Sequence, residues 1–145
     1  MNETIVRFGY PATLVARYEH WVALLRPAQP TLGSLVLAST SQARRFSDLT
    51  GEAFAELGQA VGDVERALET AVGYARINYL MLMMVDPHVH WHVIPRYEGV
   101  REAEGIAVRD AGWPKLPELG EAVTLDAAQI DRLGAWLRAQ WPSRG

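Results

Sequence analysis

The chain has 145 residues, 49% of them hydrophobic and 21% charged, with a net charge of −3 and no cysteine. That length suits one domain over residues 1–145 with a real core, and the composition is that of an ordinary globular protein. The missing cysteines exclude disulfides, thiolate metal sites and a cysteine nucleophile. The slightly acidic balance gives no reason to expect sequence-specific or non-specific nucleic-acid binding. Residues 1–7 lack a signal-peptide core and no apolar run reaches membrane-spanning length, so a cytoplasmic protein with no membrane partner is expected. Of the 14 basic residues only Lys115 is a lysine, a bias attributed to genome composition.

Residues 4–10 are β-prone and end at Gly9-Tyr10-Pro11. Leu14 to Tyr18 and Trp21 to Leu25 read as a hairpin around Glu19-His20. Two prolines make residues 26–30 a loop, and Leu32 to Ala38 resumes a strand. Thr50 is a helix N-cap, with Leu49 and Phe54 spaced as a hydrophobic staple. The helix that follows carries an apolar stripe of Phe54, Leu57, Val61, Val64, Leu68 and Ala71, and Gly73 stops it. Gly58 and Gly62 within it suggest close packing on a sheet. Tyr79 to Val85 is apolar on both faces, which predicts a strand central in a sheet covered on both sides or paired with another subunit, with Met81 to Met84 in the core.

Beyond Arg96 the glycines and prolines predict loops, with Trp113 anchoring one of them to the body. Asp126 and Gln129 form a capping box, and Leu125 and Ile130 a staple. They start a last helix whose buried stripe is Ile130, Leu133 and Leu137, extending to Trp141, with Trp136 near its edge; Pro142 ends it. The fold class is therefore α+β, with about five or six strands, one long helix between strands and a C-terminal helix.

Three of the four histidines fall in His88-Val89-His90-Trp91-His92-Val93-Ile94-Pro95-Arg96. In an extended chain, alternate side chains share a face, so His88, His90 and His92 line one face and Val89, Trp91 and Val93 the other. Such a row suits three roles. One imidazole attacks phosphorus while its neighbours assist; or the row binds zinc or another divalent ion, with Asp86 nearby; or the histidines are satisfied structural residues. No glycine-rich phosphate loop or G-x-S-x-G motif competes with the row.

The run His88-Val89-His90-Trp91-His92-Val93-Ile94 resembles the H-φ-H-φ-H-φ-φ signature of the histidine triad (HIT) family of nucleotide hydrolases and transferases, where φ is apolar. The likeness extends over residues 13–97, through Tyr18 to Leu25, Pro30 to Leu37 and Phe46 to Leu49. It implies an antiparallel sheet of about five strands in an α+β domain, and a homodimer. It also implies attack by His90 on a nucleoside-bound α-phosphate, as in dinucleoside polyphosphates or nucleoside phosphoramidates, through a nucleotidyl-histidine intermediate. His88 and His92 would support that attack, with no metal or other cofactor. Arg96, Ser34 and Gln42 are the candidate substrate-binding residues. Three features depart from the family pattern. The approach Met83 to Pro87 is apolar and shorter than the usual polar glycine-rich loop, Gly33-Ser34 stands where Gly-His is common, and Ser39-Thr40-Ser41-Gln42 replaces the usual lysine-containing, histidine-ended turn. Two alternatives therefore stay open: a nucleotide-binding regulatory module with little catalysis, and a metal-dependent enzyme that uses the row as ligands.

Overall fold

A computed structural model describes residues 1–142. The chain runs α1 (Glu3–Arg7), β1 (Leu14–Arg17), β2 (Trp21–Leu25), β3 (Ala28–Gln29), β4 (Leu35–Ser39), α2 (Gly51–Val72), β5 (Arg76–Leu80), β6 (His90–Arg96), β7 (Val100–Ala103), β8 (Ile106–Arg109), β9 (Val123–Thr124) and α3 (Ala127–Gln140). Five strands form one sheet in the order β1-β2-β4-β6-β5, with every neighbouring pair antiparallel. The short pairs β3–β9 and β7–β8 stand apart from it.

The two faces of the sheet are covered differently. Trp21, Ala23, Leu25, Leu35, Leu37 and Val93 pack with Ala60, Val64 and Leu68 of α2 and Leu133 and Leu137 of α3 in the main core. Their alternating neighbours Val22, Leu24, Val36 and Ala38 form a second cluster with Ile5 of α1. Both long helices begin as their sequences demand. The Thr50 hydroxyl accepts from Ala53 N–H, and Asp126 and Gln129 make the reciprocal capping box.

Several expectations are corrected. The β-prone start is a helix: Asn2 caps it by accepting from Ile5 N–H. Each β-branched residue costs a helix up to about 0.7 kcal/mol relative to alanine. Burying Ile5 completely is worth about 1.5–3 kcal/mol, so tertiary packing wins. The buried stripe of α2 runs through Ala53, Ala60, Val64, Ala67, Leu68 and Val72. Phe54 lies outside it and packs edge-on against Phe46. Gly58 has open space around it and Gly62 meets only the Arg66 side chain, so neither marks a close approach to the sheet.

The apolar run Tyr79 to Val85 is not a central strand. β5 stops at Leu80, lies at the sheet edge and pairs only with β6. Residues 81–89 then form a loop in which Met83 takes a left-handed backbone (φ 53°), and Met84 is 86% exposed. The region beyond Arg96 holds a hairpin where loops were expected. Ala103 pairs with Ile106 across a tight turn at Glu104 and Gly105, both with positive φ. Two-residue hairpin turns require that backbone, and Ile106 and Val108 carry the hairpin's buried face.

Candidate active site

β6 lies between β4 and β5, so its backbone is held from both sides. His90 pairs with Ala38, while His92 pairs with Val36 on one side and Leu80 on the other. His88 sits just before the strand, where Val89 bonds to the backbone of Ser39 and Ala43. All three imidazoles are buried, at 4%, 2% and 7% exposure for His88, His90 and His92. Rings on a central strand, packed on both sides, are held to the tolerance that catalysis needs.

The hydrogen bonds assign the proton on each ring. The Nδ1 of His90 lies 2.7 Å from the carbonyl oxygen of His88. A carbonyl only accepts, so His90 carries its proton on Nδ1 and keeps a bare lone pair on Nε2. The Thr4 hydroxyl oxygen accepts from the His88 backbone N–H (3.2 Å) and lies 2.9 Å from His88 Nδ1. Its own proton therefore points to Nδ1. His88 then donates through Nε2 to Gln42 Oε1, at 3.2 Å. Arg26 Nε donates to His92 Nδ1 at 3.3 Å, which leaves the His92 proton on Nε2. Burial, the adjacent Arg26 guanidinium and His90 together push the His92 pKa down to about 4, so His92 is a neutral N–H donor at pH 7.

His90 and His92 line a cavity of about 220 Å³, with Phe8, Arg26, Asp86 and residues 82–85 around it. The Phe8 ring packs against both imidazoles, its centroid 5.5 Å from that of His90 and 5.8 Å from that of His92. Met81 to Met84 were expected in the core. Met81 and Met83 are half-buried and pack against it, while Leu82 and Met84 are exposed and with Met83 form a wall of this cavity.

Of the residues singled out from sequence, His88, His90, His92 and Gln42 come together. Ser34 does not: its hydroxyl donates to the Thr31 carbonyl at 2.8 Å and closes the turn before β4. Arg96 lies at the far end of β6, where its guanidinium bonds both oxygens of buried Asp110, at 2.7 and 3.1 Å, and Asn78 at 2.8 Å. It is not placed to hold a phosphate at His90. Sequence reading missed Thr4, Phe8 and Arg26, all far from the triad in the chain and without a motif of their own. A lone arginine before a proline carried no visible signal. A metal site would need several imidazole lone pairs aimed at one point, yet both ring nitrogens of His88 and one of His92 meet protein partners. Among the described residues no group of three histidine, cysteine or acidic side chains is placed to hold a metal ion.

An antiparallel five-stranded sheet with a buried row of histidines leading into and along its interior strand β6 defines the histidine triad class. A HIT domain sequence model matches residues 8–99, more than half of the chain, and the chain belongs to the HIT family. A search of curated protein sequences returns no significant match. Among solved structures, the fold is similar to a histidine triad protein of Bradyrhizobium japonicum, with TM-score 0.74 and 20% identity over 97% of this chain and 96% of that one. It is equally similar to a histidine triad protein of Sinorhizobium meliloti, with TM-score 0.74 and 21% identity over 97% and 95%. A diadenosine triphosphate hydrolase of Plasmodium falciparum matches with TM-score 0.65 and 10% identity over 89% and 76%. Among the described residues no helix is long and apolar enough to cross a membrane.

Proposed function

We propose that this chain is a nucleotide hydrolase or nucleotidyl transferase that attacks a nucleoside-bound α-phosphate with His90. One observation carries the reading: the Nδ1 proton of His90 is committed to the His88 carbonyl, so Nε2 is the nucleophilic nitrogen, on a ring that lines the cavity. Nε2 forms the bond to phosphorus as the bond to the leaving group breaks. Water then adds to phosphorus, the N–P bond breaks, and the water's proton is released as the ionised nucleotide departs. His92 supplies a neutral N–H toward a phosphoryl oxygen, and His88 supplies the carbonyl that fixes His90. Preorganised donors of this kind cost no reorganisation during reaction.

Incubation with dinucleoside polyphosphates, adenosine phosphoramidates and adenosine phosphosulfate, followed by intact mass spectrometry, tests this. Turnover and a nucleotidyl adduct are expected for the native chain and neither for His90→Asn. Unchanged turnover in that variant removes the assignment. A nucleotide-binding module with little catalysis is the second reading, favoured by the cavity wall of Leu82 to Val85, whose side chains offer a phosphate no donor. It requires nucleotide binding in calorimetry with no product after long incubation. We also propose a homodimer through the open edge of β5, beside an apolar groove of about 130 Å³ lined by Leu57, Val61, Tyr79 and Trp91. An exposed strand edge is a ready site for pairing.

A further inference from the structure

The histidine face of the sheet carries a second and larger cleft, of about 490 Å³, whose lining includes Arg76, Asn78, Arg96, Trp113, Lys115 and Leu116. Arg76 pairs with Arg96 and Asn78 with Ile94, and opposed residues on antiparallel strands share a face. Arg96 lies at the opposite end of β6 from His90, about 20 Å along the strand. The two cavities share no lining residue. This one is a separate concavity of ligand size.

Its floor is built by a buried relay. Asp110 accepts from Arg96 Nε at 2.7 Å, from Arg96 Nη2 at 3.1 Å and from the Tyr97 backbone N–H at 3.2 Å, so both its oxygens are used. Arg96, itself only 4% exposed, donates through Nη1 to Asn78 Oδ1 at 2.8 Å. A guanidinium cannot accept, so this bond fixes the Asn78 amide. Its oxygen is consumed, and its NH2 group has no protein partner among the described residues. Every polar side chain lining the cleft therefore offers donors only.

The charges are unbalanced in the same sense. Arg96 is neutralised by Asp110, but Arg76 and Lys115 have no carboxylate partner among the described residues. None of the lining residues is acidic. The recorded bond of Arg76 goes to the neighbouring Ala75 carbonyl.

The wall opposite the strand is closely built. A Cβ at Gly112 would collide with the Leu116 carbonyl, so only glycine lets the segment fold back on itself. Lys115 N–H donates to the Gly112 carbonyl at 2.7 Å and Trp113 N–H to the Asp110 carbonyl at 3.4 Å. The folded segment presents Trp113 to the cleft, and Trp113 belongs to neither buried apolar cluster. It is a lip of the cleft and not the anchor expected from sequence. Leu116 beside it is 83% exposed.

We propose that this cleft is a second ligand site, separate from the triad, for a small aryl phosphate monoester. Two unpaired cations match a dianion, and charged donors bind phosphate oxygens strongly. The Asn78 amide, held by the Asp110–Arg96 relay, adds neutral donors without reorganising. Trp113 and Leu116 give the planar body of the ligand an apolar surface to lie on. The assignment does not depend on what His90 does.

The test titrates the full-length chain with phenyl phosphate, benzoate and inorganic phosphate at about pH 8, where a phosphate monoester is a dianion. It reads the Trp113 indole N–H by NMR, assigned with Trp113→Phe. Phenyl phosphate is expected to move that signal to saturation, in the native chain and equally in His90→Asn. Arg76→Gln/Lys115→Gln, at two exposed positions, should bind it about 10-fold more weakly, a loss of about 1.4 kcal/mol. Asn78→Asp keeps an acceptor for Arg96 but replaces the amide donors with a charge, so binding should be lost. A Trp113 signal that phenyl phosphate leaves in place, or an affinity unaltered in either variant, overturns the proposal. Benzoate binding as tightly as phenyl phosphate removes the need for a dianion, and inorganic phosphate binding as tightly makes this a free-anion site; each overturns it. A response lost in His90→Asn places the probe at the triad and also overturns it.

Discussion

Arg26 donates its Nε–H to Nδ1 of His92 at 3.3 Å, a contact between the end of the β1–β2 hairpin and the triad strand. A cation beside an imidazole opposes its protonation, and the direction of the bond fixes the tautomer. Arg26 is itself half-buried, and burial lowers its own pKa, while its Nη1 is held by the Ala28 carbonyl at 2.7 Å. Arg26 therefore positions His92, keeping its Nε2–H available to a substrate oxygen. Arg26→Met keeps the stem but removes the charge and the donor. The His92 pKa should rise from about 4 and remain below about 6.5, because burial, the largest cause of its depression, persists. Turnover should fall about 10- to 100-fold. Long-range ¹H–¹⁵N NMR titration of the imidazoles reads the shift directly, and an unmoved His92 titration removes the role.

The same depression makes stability depend on pH. An unfolded His92 takes up a proton near pH 6.5, whereas the folded one does so near pH 4. Between those values the unfolded chain binds more protons, so stability rises with pH. The contribution is fully present above pH 6.5 and is lost as pH falls toward 4, by at most about 3 kcal/mol. Urea denaturation at several pH values across this window, compared with His92→Gln, isolates it. The native chain should show the steeper loss toward low pH. Parallel slopes for the two proteins would show that His92 contributes nothing.

The sequence displayed the parts of this fold that are written locally. The caps at Thr50 and Asp126, the hairpin around Glu19-His20 and the alternation from His88 to His92 each depend on neighbours within a few residues. What it concealed depends on distant packing. Thr4, Ile5 and Val6 have strand propensity, and only the apolar surface of Val22, Leu24, Val36 and Ala38 makes them a helix. The run Met81 to Val85 looks like core because composition alone cannot distinguish a buried strand from the wall of a cavity. Arg96 follows the triad on the same strand and so looked like a phosphate ligand, but Asp110, fourteen residues on in the chain, claims its guanidinium. Arg26 and Thr4 reach the histidines over separations of 66 and 84 residues, beyond any motif.

Thr4 is the strongest case of such a distant partner. Its hydroxyl accepts from the His88 backbone N–H and donates to Nδ1 of the same residue, so α1 sets both the backbone position and the ring tautomer of His88. That residue in turn supplies the carbonyl to which His90 commits its proton. Thr4→Val preserves the shape and removes the hydroxyl, leaving a buried N–H and a ring nitrogen without partners. The cost should be about 1–3 kcal/mol in stability for each unsatisfied group, together with a fall in kcat that exceeds any change in KM. Thr4→Ser restores the oxygen and should recover most of the rate. Urea denaturation and steady-state kinetics on both variants separate the two effects: if Thr4→Val loses stability but retains kcat, α1 props the fold without positioning the triad.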